Sequence, residues 1–167
     1  PYQVIILSAQ AAKGKPLRYF PIFFDLDGRD VLIVGGGEQA LQKVRLLAKT
    51  SARLKIVAPD VAEDIANASI PSLTIERRDF TESDLDGAAL VFAATDDPDL
   101  DARVSAAGRA RGLPTNVVDG PSQSNFIMPA IVDRDPIIVA IGTEGAAPIL
   151  AREIKAKIES WLPAHFG

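Results

Sequence analysis

Val31-Leu-Ile-Val-Gly-Gly-Gly-Glu-Gln-Ala40 is the stretch whose reading decides the fold. Val31 to Val34 is an unbroken, mostly β-branched apolar run, the composition of a strand covered on both faces. Three glycines follow, and Leu41, Val44, Leu47 and Ala48 then recur at helical spacing. A strand, a glycine turn and a helix in that order form a dinucleotide-binding turn. Gly35 lets the chain turn tightly, Gly37 lets backbone approach a pyrophosphate, and the small Ala40 lets the helix pack on the strand. The helix N-terminus adds unpaired N–H groups that point at the phosphates. The competing reading is a strand-to-helix turn that uses glycine for geometry alone. One discordance favours it: the acid that such sites place about 20 residues after the first glycine is absent from Arg53 to Pro59, and Asp60 is the nearest candidate.

Outward from this turn, short apolar runs alternate with helical ones, which predicts βαβ units and an α/β, Rossmann-like parallel sheet. Phe20 to Leu26 reads as a leading segment that reaches a turn at Asp27-Gly28. Further strands are expected at Arg53 to Ala58, Leu73 to Arg77, Leu90 to Ala94 and Thr115 to Val118. A short helix is expected from Asp60 to Ala68 with Asp60 as its cap, and Thr81 with Asp84 has the form of a capping box. Asp97 and Pro98 start a helix that runs to Arg111 and stops at Gly112.

Beyond Asp119-Gly120-Pro121 the rhythm changes. Ala130 to Asp133 and Ile137 to Ile141, joined by Arg134-Asp135-Pro136, read as an antiparallel hairpin. Ala147 to Leu162 reads as an amphipathic helix with Leu150, Ile154, Ile158 and Trp161 along one stripe. The expected division is an N-terminal extension (1–19), a dinucleotide-binding domain (20–124) and a hairpin-plus-helix dimerisation region (125–167). A hairpin and one helix cannot bury both faces alone, so residues 125–167 either pair with a second copy or fold back on the sheet.

With 167 residues and 47% apolar content the chain can bury one good core. It has no cysteine, which excludes disulfides, thiolate nucleophiles, iron–sulfur ligation and cysteine-based zinc sites. Its one histidine, His165, excludes a two- or three-histidine catalytic metal site, so no metal-ligating residues are expected. Chemistry must then rest on carboxylates, hydroxyls, amines or a cofactor. A net charge of −4 without a long basic run argues against nucleic acid as a partner. No stretch approaches the ~20 apolar residues that span a bilayer. Val4 to Leu7, ahead of Ala9-Gln10-Ala11, is too short for a signal core and follows no charged segment. The expected setting is cytoplasmic.

In open α/β sheets ligands sit beyond the carboxyl ends of the strands. That rule singles out Gly35, Gly36, Gly37, Glu38 and Gln39, then Thr95 to Asp97, then Asn116 to Asp119. Thr95 and Asp96 suit contact with the nucleotide, while capping explains Asp97 and solvent exposure also explains Asp96. Asp119 follows Val117-Val118 at the crevice rim, where a carboxylate can take a proton that a substrate presents. Its alternative is an Asp-Gly-Pro turn whose side chain bonds its own backbone. Gly142 to Pro148 is a second small-residue loop before a helix, either an anion seat or a plain connection. His165 reads as structural or as a linker residue.

The order of motifs is itself distinctive: Phe-Pro-Ile-Phe at 20–23, Val-Gly-Gly-Gly at 34–37, Ala-Ala-Thr-Asp-Asp at 93–97, Asn-Val-Val-Asp at 116–119 and Phe-Ile-Met-Pro at 126–129. With Ala-Pro-Ile-Leu-Ala-Arg at 147–152 and Leu-Pro-Ala-His-Phe-Gly at 162–167, the chain resembles the precorrin-2 dehydrogenase family, the N-terminal module of siroheme synthase, over about residues 20–167. The resemblance implies NAD-dependent oxidation of precorrin-2 to sirohydrochlorin, with the aspartate matching Asp119 as general base and homodimerisation after the sheet. In many members the same site also inserts ferrous iron into sirohydrochlorin. The same carry-over implies that Glu38, Gln39, Pro59 and Asp60 touch the cofactor. It puts Asn116 on the substrate side and Thr143 near the tetrapyrrole site. Gln42 departs from the pattern, standing where the family commonly has arginine.

Two other functions fit the motifs: a non-catalytic NAD-sensing dimeric module, and a dehydrogenase acting on another small acid. They separate at Asp119, since a sensor has little use for a base at the crevice rim. A tetrapyrrole rich in carboxylates also needs a local basic surface on an acidic chain, and Lys43, Arg134 and Arg152 are the candidates.

Overall fold

A computed structural model describes residues 16–144 and 147–162. At its centre β1 (Asp30–Val34) pairs in parallel with β2 (Arg53–Val57) on one side. β4 (Ala88–Ala93) pairs with β1 on the other, and β3 (Leu73–Glu76) and β5 (Thr115–Val117) form the edges, giving the order β3-β2-β1-β4-β5. Val31 to Val34 are each at most 1% exposed, which is why the run shows no alternation of polarity. Val31 and Ile33 face one core with Leu54, Ile56 and Phe92, whereas Leu32 and Val34 face a second with Val57, Val91 and Val117. α1 (Glu38–Leu47) covers the first core through Ala40, Leu41, Val44 and Leu47. α3 (Pro98–Ala110) covers the second through Val104.

Several local expectations match the structure. Asp97 caps α3 by accepting from the N–H groups of Asp99 (3.0 Å) and Leu100 (3.2 Å), and Gly112 stops it at φ +69°. Asp84 accepts from the Thr81 N–H at 2.9 Å, although the segment Glu82–Leu85 is a 3-10 turn. Others are corrected. The helix expected from Asp60 is α2 (Glu63–Ala66), begun by Ala62. Asp60 and Val61 lie flat against Gly36, and the Ala62 N–H donates to the Gly36 carbonyl at 2.9 Å, so the chain is committed before it can coil. Phe20 to Leu26, as expected, is a leading segment without strand pairing that reaches the turn at Asp27-Gly28.

The chain then leaves the main sheet. β6 (Ala130–Arg134) and β7 (Ile137–Ile141) form a separate antiparallel hairpin with Arg134 opposite Ile137. α4 (Pro148–Trp161) packs against it. The expected stripe on α4 is only partly covered: Ala151 is buried and Ile154 and Ile158 are half-buried, but Leu150 is 49% and Trp161 77% exposed. Two strands are too narrow to shield the whole stripe. The junction is anchored, since the Phe126 ring meets the Phe92 ring edge-on at 5.6 Å. Among the described residues no helix is long and apolar enough to cross a membrane. Readings that fall on residues 1–15, on Gly145 and Ala146, and on 163–167 with His165 lie outside the described residues.

Candidate active site

The three glycines have different jobs. Gly35 sits at φ +122°, and a Cβ there would lie 1.9 Å from the Ala94 carbonyl oxygen. A Cβ on Gly36 would lie 2.1 Å from the Asp60 carbonyl oxygen. Both positions are therefore glycine because backbone crosses backbone, where any side chain overlaps. Gly37 is different: its φ is −87°, and a Cβ would meet only the Asp96 Oδ2 at 3.3 Å. It is the N-cap of α1 and no side chain caps the helix there, so the first N–H groups remain open to a ligand.

A cleft of about 940 Å³ opens over this turn, along the carboxyl ends of β2, β1 and β4. Of the residues singled out from the sequence, it brings together Gly35, Gly36, Gly37, Pro59, Asp60, Thr95 and Asp96. The sequence reading missed Arg77, Phe80 and Arg103, which also line it. Arg77 follows the carboxyl end of β3, so the strand-end rule applied to that edge strand would have found it. Arg103 stands four residues after Asp99 on the first turns of α3, the helical spacing of one face. Thr95 is fixed by Asp101, whose Oδ1 accepts from the Thr95 hydroxyl (2.8 Å) and N–H (3.3 Å). Burial raises the Asp101 carboxyl above the usual range, and the bonds from Thr95 only partly offset it. The uncapped helix start, the open Gly37 and carboxylates able to accept from ribose hydroxyls together fit a dinucleotide.

A second group gathers on the other flank of α1, outside the cleft lining. Asp119 sits just past β5 with φ +59°, a left-handed conformation that aspartate tolerates. Its Oδ2 accepts from the Gln39 Nε2 at 3.4 Å, so its side chain reaches across the fold instead of only closing its own turn. Lys43, one helical turn beyond Gln39, places its Nζ 5.8 Å from the centroid of the fully buried Phe92 ring. Burial lowers the proton affinity of the Lys43 amine, and the negative charge of Asp119 restores part of it.

Other expected residues are placed separately. Asn116 is 8% exposed, and its Nδ2 donates to the Phe126 carbonyl at 3.0 Å, which pins the departing chain beside Asp119. Thr143 is half-buried after β7, next to Glu144, whose Oε1 accepts from the Arg18 N–H at 3.0 Å. Glu38 opens α1 but does not line the cleft. The three basic candidates are engaged in different places. Lys43 lies against the Phe92 ring, Arg152 is exposed on α4, and Arg134 donates to the carbonyls of Leu162 (3.0 Å) and Asp133 (2.8 Å).

A parallel sheet whose strand order reverses between β1 and β4, with a glycine turn and an open cleft at that switch point, is a dinucleotide-binding domain of the Rossmann type. The family model described as "Putative NAD(P)-binding" matches residues 22–130, and the chain belongs to that family. It is 50% identical over 152 residues to the siroheme synthase of Ectopseudomonas mendocina (strain ymp), an alignment that covers 90% of this chain and 32% of that protein. It is 51% identical over 150 residues to the siroheme synthase of Pseudomonas entomophila (strain L48), covering 89% and 32%. The chain thus spans about a third of the length of these relatives. Among solved structures it is similar to "SirC, precorrin-2 dehydrogenase", with a TM-score of 0.74 and 29% identity over 87% of this chain and 72% of that one.

Proposed function

We propose that this chain carries out the NAD-dependent oxidation of precorrin-2 to sirohydrochlorin, on the route to siroheme, with Asp119 as general base. The observation that carries the reading is the placement of Asp119. Its carboxylate is bonded to Gln39, two residues along from the Gly37 that opens on the dinucleotide cleft. The first turn of α1 thereby links the cofactor seat to the acid that follows β5. The similarity to a precorrin-2 dehydrogenase and to siroheme synthases supports the substrate class.

Bound NAD supplies the acceptor for the hydride that precorrin-2 loses, giving NADH. The Asp119 carboxylate takes the accompanying proton, so two electrons and one proton leave as hydride and one proton passes to the base. Gly35, Gly36 and Gly37, with Glu38 and Gln39, form the turn that seats the cofactor, and Pro59, Asp60, Thr95 and Asp96 close the cleft around it. Asn116 holds the substrate side by fixing Phe126, and Thr143 contributes to the same side. The cleft carries Asp60, Asp79, Asp96, Asp97 and Asp99 against Arg77 and Arg103, an acidic balance that disfavours the extra phosphate of NADP. Insertion of ferrous iron, here a substrate, would use the same Asp119 to take pyrrole protons while the macrocycle supplies nitrogen ligands.

Residues 20–124 form the cofactor-binding part and 125–167 the dimerisation part, in a cytoplasmic enzyme that acts without nucleic acid or membrane. The exposed Ile138 (53%), Ile149 (64%), Leu150 and Trp161 on the hairpin and α4 support pairing with a second copy. Anaerobic incubation with precorrin-2 and NAD, followed by NADH absorbance and then by addition of ferrous iron, tests the proposal. NADH formation matched to sirohydrochlorin is expected. Bound NAD without NADH would leave the chain an NAD sensor.

A further inference from the structure

Gln39 and Lys43 are four residues apart in α1 and therefore stack on one face of the helix. Gln39 donates to the Asp119 carboxylate. Lys43 lies against the ring of Phe92, which stands opposite Asn116 in the β4–β5 register, just below Asp119. A lysine with no task beyond solubility extends its ammonium into water. Here the amine is held half-buried at a cost to its charged form, and Asp119 is the one charged group among the described residues whose field compensates it.

We infer that Lys43 is a positioning residue for the proposed reaction: its ammonium, seated on Phe92 one helical turn from the Gln39–Asp119 bond, holds that carboxylate in place when a polyanionic substrate arrives. The inference rests on the reading of Asp119 as base. The physical need is direct. A substrate bearing several carboxylates disfavours a second anion beside it, and a neighbouring cation reverses that penalty. Gln39 sets direction but carries no charge, so it cannot supply this part. A lowered proton affinity also means that Lys43 loses its charge at a lower pH than an exposed lysine does, which brings the loss of activity into the alkaline end of an assay.

The test compares the full chain with Lys43→Met and Lys43→Arg. NAD affinity is read by calorimetry, and kcat/KM for precorrin-2 oxidation is read across pH. Lys43→Met is expected to bind NAD within about twofold of the parent, to lose kcat/KM by about tenfold or more, and to lose the alkaline limb; Lys43→Arg restores most of the rate. A Lys43→Met profile that superimposes on the parent overturns the inference, and so does a rate loss that Lys43→Arg shares in full. A second measurement needs no turnover: the Lys43 amine, followed by isotope-labelled lysine NMR, titrates at lower pH in Asp119→Asn than in the parent. An unmoved midpoint overturns the pairing. Failure of the oxidation reading alone leaves that midpoint shift in place, so the two failures are distinguishable.

Discussion

Replacing single glycines of the turn by alanine separates folding from cofactor binding. At Gly35 the new methyl meets two penalties: a φ of +122° that alanine rarely adopts, and a carbonyl oxygen 1.9 Å away that belongs to backbone and cannot swing aside. The first costs ~1–3 kcal/mol and the overlap another ~1–3 kcal/mol. Against a total stability of ~5–15 kcal/mol this is a large fraction. At Gly37 the φ of −87° suits alanine, and the nearest atom, at 3.3 Å, is the movable end of Asp96. Alanine at an N-cap costs less than ~1 kcal/mol relative to glycine. The methyl does stand between the cleft and the helix start, where charge-assisted bonds to a pyrophosphate are each worth ~1.5–3 kcal/mol. Loss of one lowers NAD affinity about 10- to 100-fold. Urea denaturation and NAD calorimetry read both quantities. Gly35→Ala should unfold at markedly lower urea or fail to fold, whereas Gly37→Ala should fold like the parent and gain almost nothing from added NAD. Parental NAD affinity in Gly37→Ala would refute the seat at α1, and parental stability in Gly35→Ala would refute the close approach of the Ala94 carbonyl as the reason for glycine there.

Asp84, with a side chain 2% exposed, accepts from Lys55 (2.9 Å), Arg78 (2.8 Å) and the Thr81 N–H. Hydrogen bonds from Arg78 hold its carboxyl well below the usual range against the opposing effect of burial. Its stabilisation is therefore complete above the unfolded value of about 3.9 and is lost as pH falls through the depressed folded value. Asp84→Asn should cost about 1–3 kcal/mol at neutral pH, the partners' partial exposure keeping it below a fully buried pair, and should flatten the acid slope of urea midpoints. Parallel slopes for variant and parent would contradict this. If residues 125–167 pair two copies as proposed, the joint substitutions Ile149→Glu and Trp161→Glu, both at exposed positions, should give a folded monomer in sedimentation at unchanged helix content, and an unchanged sedimentation coefficient would refute pairing through this face.

The turn was legible because Val31 to Ala40 concentrates its signal: a run buried on both faces, glycines and an amphipathic helix follow one another without interruption. α3 was legible for a similar reason, since Asp97 and Pro98 act locally. Asp60 was misread as a cap because nothing local says that Gly36 needs its carbonyl close by; that constraint comes from a loop that only the fold brings in. Arg103 escaped because its contribution to the cleft depends on where α3 ends up. Lys43 could be named but not placed, because its meaning comes from Phe92 and Asp119, 49 and 76 residues further on. The stripe on α4 was visible in sequence, but how much of it two strands leave uncovered was not.

Asp119→Asn keeps the shape of the side chain and removes its ability to take a proton. The decisive measurement is the rate of NADH formation from precorrin-2 at saturating NAD, made alongside NAD affinity for the same variant. The expected result is a loss of at least about 100-fold in rate with affinity unchanged, the scale of a missing general base. A variant that oxidises precorrin-2 as fast as the parent would show that this carboxylate does not carry the chemistry.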